Sequence, residues 1–120
     1  MSDLDTRYRQ LLAKHLVANE ASWAALRRAG LTDATLVRLD FAYDAPTRAA
    51  AGALRDRLAE LTDYEVRTEQ TGVIVRRHWA VVGSTQPTAV SPAILEQWVD
   101  WMVTAGLEHG CEFDGWGAEV

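Results

Sequence analysis

The chain is poor in cysteine and lysine, and it has no long hydrophobic run. Its single cysteine, Cys111, cannot form an internal disulfide, which fits a reducing compartment. The single lysine, Lys14, and a net charge of −5 argue against an electrostatic grip on nucleic acid. No apolar stretch approaches the roughly 18 residues of a membrane span, and the N-terminus lacks a basic-then-apolar signal pattern. We therefore expect a cytoplasmic protein that contacts neither a membrane nor nucleic acid directly.

The overall composition of the chain is typical of a soluble globular domain. The chain has 120 residues, of which 48% are hydrophobic and 24% are charged. One hydrophobic core is the usual arrangement at this length. The acidic balance is compatible with a basic protein partner, and the sequence does not indicate an oligomeric state.

The first part of the chain predicts a helix followed by a strand. Apolar residues recur at three- and four-residue steps over residues 4–29, with Asn19-Glu20 as a candidate break into two helices. Gly30 is the expected end signal of this helical segment. Residues 35–43 alternate apolar and polar side chains, which indicates a half-buried strand.

An alanine-rich helix and two strands are predicted next. Asp44 is the expected N-cap of this helix. The alternating segments 64–69 and 71–83 are expected to be neighbouring strands, with Thr71-Gly72 as the turn between them.

The last helix has the clearest start signal. Ser91 is its expected N-cap and Pro92 its first residue, and Gly110 ends it before a short final strand. The order β-α-β-β-α-β is typical of a ferredoxin-like sandwich, an antiparallel four-stranded sheet with two helices on one face. We divide the chain into an N-terminal helical extension, residues 1–33, and a ferredoxin-like domain, residues 34–120. One use for the extension is to cover the free sheet face. A longer α+β sheet with helices on both sides is the alternative.

The sequence contains no recognisable catalytic or metal-binding motif. None of the three histidines has a partner at metal-ligand spacing, so we expect no metal. Cys111 adjoins Glu112, whose charge opposes thiolate formation, and we expect it to be a core residue. The phosphate-binding loop, the dinucleotide fingerprint and the nucleophile elbow are all missing. We expect no catalytic residue and no cofactor.

Charged residues of the predicted strands form the one candidate cluster. If the strands alternate as predicted, one sheet face carries Arg38, Asp40, Arg67, Arg76, His78, Glu112 and Asp114. A cluster of mixed sign is usually a network of ion pairs across strands. The alternative is a small enzyme that uses His78 with Asp40 or Asp114, which requires a pocket where these groups converge.

The most distinctive stretch is the C-terminal segment Phe113-Asp114-Gly115-Trp116-Gly117. The glycines predict close approach of a backbone or a ring. Trp116 is then a packing clamp that fixes the terminus to the fold, or else an exposed binding hot spot. Asp114 is expected to accept from the indole N–H or from a nearby amide.

This segment resembles the end of proteins in the regulator of ribonuclease activity B family, which close with Tyr/Phe-Asp-Gly-Trp-Gly after a helix. The similarity extends upstream to residues 21–58, to Pro87 and to residues 93–110, and so covers roughly residues 20–120. It implies a ferredoxin-like fold and a non-catalytic role. The family's namesake inhibits ribonuclease E by binding its non-catalytic scaffold region and so alters messenger RNA decay. An immunity- or antitoxin-like binding protein is the other binding hypothesis.

Overall fold

In the computed structural model, three helices accompany two antiparallel sheets. The structure describes residues 2–73 and 76–119, apart from the side chains of Val73, Arg76 and Arg77. The helices are α1 (Asp3–Arg28), α2 (Arg48–Leu61) and α3 (Pro92–Leu107). The strands are β1 (Leu36–Val37), β2 (Asp40–Ala45), β3 (Glu65–Val73), β4 (Arg76–Ser84), β5 (Thr88–Ala89) and β6 (Glu112–Gly117).

The larger sheet has the order β3-β4-β2-β6, and each neighbouring pair is antiparallel. Helix α2 connects β2 to β3, and α3 leads from the β4 side of the sheet to β6, which gives two interleaved β-α-β units. The predicted α+β class is confirmed, with a strand order compatible with a ferredoxin-like sandwich.

One face of this sheet and the helices form the main core. Phe41 and Tyr43 of β2 and Phe113 of β6 are buried in the same cluster as Leu54 of α2 and Met102 of α3. The hydroxyl of Tyr43 donates to the carbonyl oxygen of Met102 at 2.7 Å, which satisfies the one polar atom of this side chain within the core.

The strand predicted over residues 35–43 is divided in two. β1 pairs with β5 in a separate two-stranded sheet, whereas β2 belongs to the main sheet. Between them, the amide of Leu39 donates to Oγ1 of Thr85 at 3.0 Å, and the amide of Thr85 donates to the carbonyl of Leu39 at 2.9 Å. Val37 and Leu39 are buried in a second cluster with Leu26 and Leu95, beside this small sheet.

Helix α1 is continuous, so the predicted break at Asn19-Glu20 is wrong. It packs against α3 and along the outer edge of β6, and it does not cover the free sheet face. The Nε2 atom of His15 lies 2.8 Å from the carbonyl oxygen of Phe113 in this edge strand. A carbonyl oxygen only accepts, so the neutral imidazole carries its proton on Nε2. Helix α1 therefore protects an edge that would otherwise present unpaired backbone groups.

The start of α2 and the end of β3 differ from the prediction. The predicted start of α3 is confirmed. Thr47, not Asp44, is the N-cap of α2, because β2 continues through Ala45. β3 continues through Val73, so Thr71-Gly72 lies within a strand and not in a turn. At α3, the Ser91 hydroxyl accepts from the amide of Ile94 at 3.1 Å, as an N-cap does.

Candidate functional site: the C-terminal strand and the open sheet face

Strand β6 contains a bulge in the middle of the distinctive C-terminal segment. Its register against β2 shifts between Phe113 and Gly115, so Asp114 is an extra residue without a partner in the ladder. Gly115 has φ +147°, a conformation that L side chains rarely adopt. Because one residue is inserted, Phe113 and Trp116 both face the helices although they are three positions apart.

Trp116 is partly buried between the two core clusters and packs against both of them. Its ring meets that of Trp98 edge to face, with centroids 6.4 Å apart. Its Nε1–H donates to Oδ1 of Asn19 in α1 at 2.8 Å. The prediction that Asp114 accepts this proton is therefore wrong, and Asp114 is exposed on the bulge. The geometry is that of the packing clamp, joining β6 to α1 and α3.

The bond to Trp116 also fixes the orientation of the Asn19 amide. An indole N–H can only donate, so the atom it meets must be the amide oxygen of Asn19. The amide nitrogen, Nδ2, is buried and has no hydrogen-bond partner among the described residues. Buried donors are almost always satisfied, so this one requires an explanation.

The face of the main sheet away from α2 and α3 is open. None of the described side chains on this face belongs to either core cluster. Asp40 and Asp44 of the central strand β2 are exposed on it, as are Glu65 and Arg67 of β3. Since side chains alternate along a strand, this face is the polar side of a sheet whose other side is the core.

The charges on and beside this face form local pairs. Arg38 lies 3.5 Å from Glu65, and Arg67 lies 2.8 Å from Glu69. Asp40 accepts from the Ser84 hydroxyl at 2.5 Å. Arg38 lies in the segment between β1 and β2, and the Arg67 pair lies within β3, so neither of these two ion pairs joins two strands as predicted. The side chain of Arg76 lies outside the described residues.

Glu112 is held by α1, and it also lies beside Asp44 of the central strand, which is its partner in the β2–β6 ladder. Arg7 donates through Nε to Oε1 of Glu112 at 2.7 Å and also through Nη2 to Oε2. This bidentate contact lowers the pKa of Glu112 and raises that of Arg7. Both side chains are nearly half exposed, so the pair contributes little more to stability than other surface ion pairs.

The structure does not bring His78 and Asp40 together. Asp40 pairs with Ser84, six residues along β4 from His78, which corresponds to about 20 Å of strand. His78 is exposed and lines a hollow of about 480 Å³ together with Asp44 and Glu112. Asp114 and Asp40 line another hollow, over the bulge. The enzyme hypothesis requires His78 to meet Asp40 or Asp114 in one pocket. Among the described residues, His78 shares a hollow with neither of them.

Cys111 is fully buried, as predicted. Burial raises the pKa of its thiol to about 11, so the thiol is protonated at neutral pH. Within residues 2–73 and 76–119, no group of three or more histidine, cysteine, aspartate or glutamate side chains is placed to hold a metal ion. No helix in the same ranges is long and apolar enough to cross a membrane.

Sequence reasoning missed three polar residues of α1: Arg7, His15 and Asn19. The signal was present for two of them, because His15 and Asn19 continue the buried stripe of Leu11 and Leu26 at helical spacing. A polar side chain inside an apolar stripe must find a partner in the fold. Which partner it finds is decided by the packing of α1 against β6.

Comparison of the sequence with known proteins identified no relative. The sequence matches no family model, and no curated protein matches it.

Proposed function

We propose that this protein is a non-catalytic, cytosolic regulator that acts by binding another protein. The resemblance of its C-terminal segment to the regulator of ribonuclease activity B family makes the scaffold region of ribonuclease E the first partner to test. Binding there would alter RNA decay through protein contact, without a chemical step in this chain.

The open sheet face is the observation that carries this proposal. Asp40 and Asp44 lie exposed on its central strand, and neither forms an ion pair within the described residues. The chain as a whole has a net charge of −5. An exposed acidic surface attracts a partner with basic side chains and speeds its association.

The distinctive C-terminal segment has a structural role in this chain. Phe113 and Trp116 are used in packing, while Gly115 allows the bulge that places both on the same side. The segment thus acts as a structural element that joins the last strand to α1. Partner contact is assigned to the neighbouring sheet face, where the side chains are exposed.

The arrangement of titratable groups favours binding over catalysis. His78 is exposed and lies about 20 Å along the strand from the level of Asp40. Glu112 is engaged by Arg7, and Cys111 is buried as the neutral thiol. A general base or nucleophile must be able to exchange a proton where it lies, and the ion pair of Glu112 and the neutral buried thiol of Cys111 oppose this.

The proposal is tested with the purified full chain and the ribonuclease E scaffold region in a calorimetric titration at low and high salt. The double variant Asp40→Asn/Asp44→Asn is compared with Asp56→Asn/Glu60→Gln, which removes the same charge from α2. We expect binding that weakens about three- to ten-fold in the sheet-face variant, because exposed charge contacts contribute modestly. The α2 variant is expected to bind as the parent does. Absence of binding at about 10 μM removes this partner.

A further inference from the structure

A groove lies between α1 and α3, and it shares no lining residue with the two hollows at the open sheet face. Its volume is about 540 Å³, within the range of ligand-binding clefts. Leu16 and Trp23 of α1 and Leu95 of α3 supply apolar surface to it. It is formed where the second half of α1 passes the first turns of α3.

Asn19 lines this groove, and it is the residue with the unpartnered amide nitrogen. Only 9% of Asn19 is exposed, and its oxygen is occupied by the indole N–H of Trp116. The nitrogen is therefore the branch of the amide that has no partner among the described residues. It can donate only, so its natural partner is an acceptor such as a peptide carbonyl oxygen.

Two carboxylates border the same groove, one from each of the helices that form it. Glu20 of α1 and Glu96 of α3 are both exposed, and neither forms an ion pair within the described residues. Their charge disfavours an anionic ligand and favours a cation. The apolar walls suit the aliphatic stem of a long basic side chain, which can lie along them with its head in water.

We propose that this groove binds a segment of a protein partner that bears an arginine or lysine side chain. A main-chain carbonyl of the segment accepts from Nδ2 of Asn19, and the basic head lies between Glu20 and Glu96. Trp116 is a positioning residue here, because its N–H holds the Asn19 oxygen and so presents the nitrogen to the ligand. The inference rests on the proposed function in that the partner is a protein, but it assigns a different surface.

Titration of the isotope-labelled full chain with capped tripeptides, followed by NMR, tests this assignment. The probes are acetyl-Gly-Arg-Gly-amide and the matching peptides with Gln or Glu at the centre. We expect the arginine peptide to shift the side-chain amide signals of Asn19 and the indole signal of Trp23. Its binding should be at least about three-fold tighter than that of the Gln peptide, the gain expected from exposed charge contacts.

Charge variants identify the groove as the binding surface. Glu20→Gln/Glu96→Gln should remove the preference for arginine over glutamine. Glu108→Gln, at the exposed C-cap residue of α3, should retain the preference and serves as the control. All three positions are exposed, so the fold is expected to persist, which a thermal melt of each variant verifies.

Three outcomes overturn the inference. One is that the Arg and Glu peptides bind equally, and another is that the Glu108→Gln control loses as much as the groove variant. The third is that no peptide shifts the Asn19 amide while that amide shows contact with water alone, which would make water its partner. A failure to bind the ribonuclease E scaffold leaves these peptide measurements unaffected. The two proposals can therefore fail independently.

Discussion

The indole nitrogen of Trp116 in the last strand donates to the side-chain oxygen of Asn19 in the middle of the first helix, at 2.8 Å. The two residues are 97 positions apart in sequence. This contact and that of His15 with the Phe113 carbonyl both join α1 to the edge of the sheet. The helical extension and the ferredoxin-like domain therefore share one packed interior.

Removal of the Trp116 side chain should destabilise the protein. We expect Trp116→Ala to lower the free energy of unfolding by about 3 kcal/mol or more, because it empties packing in both core clusters. Trp116→Phe should lower it by about 1–3 kcal/mol, because a ring remains and mainly the bond to buried Asn19 is lost. Urea unfolding followed by circular dichroism measures both.

Trp101→Ala, at a side chain that is 39% exposed, is the control and should have the smallest effect of the three. Equal stability of Trp116→Ala and the parent would contradict the clamp.

The bulge in β6 depends on the backbone conformation of Gly115. Gly115→Ala should lower the free energy of unfolding by about 1–3 kcal/mol, since φ +147° is strained for alanine although no atom lies within 4 Å of the added Cβ. Gly117→Ala, two residues later in the same strand, also has open space, and its φ lies outside the range that disfavours side chains. It should be nearly neutral. Equal effects of the two substitutions in chemical denaturation would argue against a conformational role for Gly115.

Two helical glycines should respond oppositely to substitution by alanine. A Cβ at Gly106 of α3 would lie 2.6 Å from Cε1 of the buried Tyr43 ring, so Gly106→Ala should destabilise by about 1–3 kcal/mol. At Gly52 of α2 the added Cβ meets only a side-chain nitrogen of Arg55, at 3.8 Å. Gly52→Ala should therefore stabilise by about 0.5–1 kcal/mol through helix propensity. Thermal melts that shift in the same direction for both variants would contradict the close packing of α3 on β2.

Protonation of His15 should make stability fall on mild acidification. Burial lowers the pKa of His15 below its usual value of 6.5, despite the bond to the Phe113 carbonyl, so the unfolded chain binds this proton more readily than the folded chain. The contribution of neutral His15 is complete above about pH 6.5. It decreases as the pH falls below that value toward the lower pKa of the folded state. The slope cannot exceed about 1.4 kcal/mol per pH unit for one proton.

Urea unfolding at pH 5.5 and pH 7.5 measures this dependence. His15→Gln should flatten it, because glutamine can still donate to the carbonyl but does not titrate. His78→Gln, at an exposed histidine, should leave it as in the parent. The lowered pKa of Glu112 also reduces stability in acid, but it acts below its usual value of 4.5 and so outside this interval. A flat profile in the parent protein would contradict the burial of neutral His15.

Much of the fold was predictable from local patterns. Ser91 and Pro92 marked the start of α3, because capping and a fixed proline φ are properties of neighbouring residues. The alternation of residues 40–43, within the predicted strand, indicated the two faces of β2 for the same kind of reason. The errors arise where contacts between distant residues override the local pattern. Asp44 is a good N-cap type, but pairing with Ala80 and Glu112 keeps it within β2.

By itself, the sequence determined the class of the fold, the net negative charge and which C-terminal segment is distinctive. Only the tertiary structure decided which residue receives the Trp116 proton, where α1 lies and which sheet face stays open. The bulge at Asp114 shows the physical reason, because one inserted residue reverses the faces of all that follow and no periodicity along β6 alone reveals it. Asn19 likewise acquires its role only when α1 packs against β6, because a hydrogen bond over 97 residues depends on how the elements assemble.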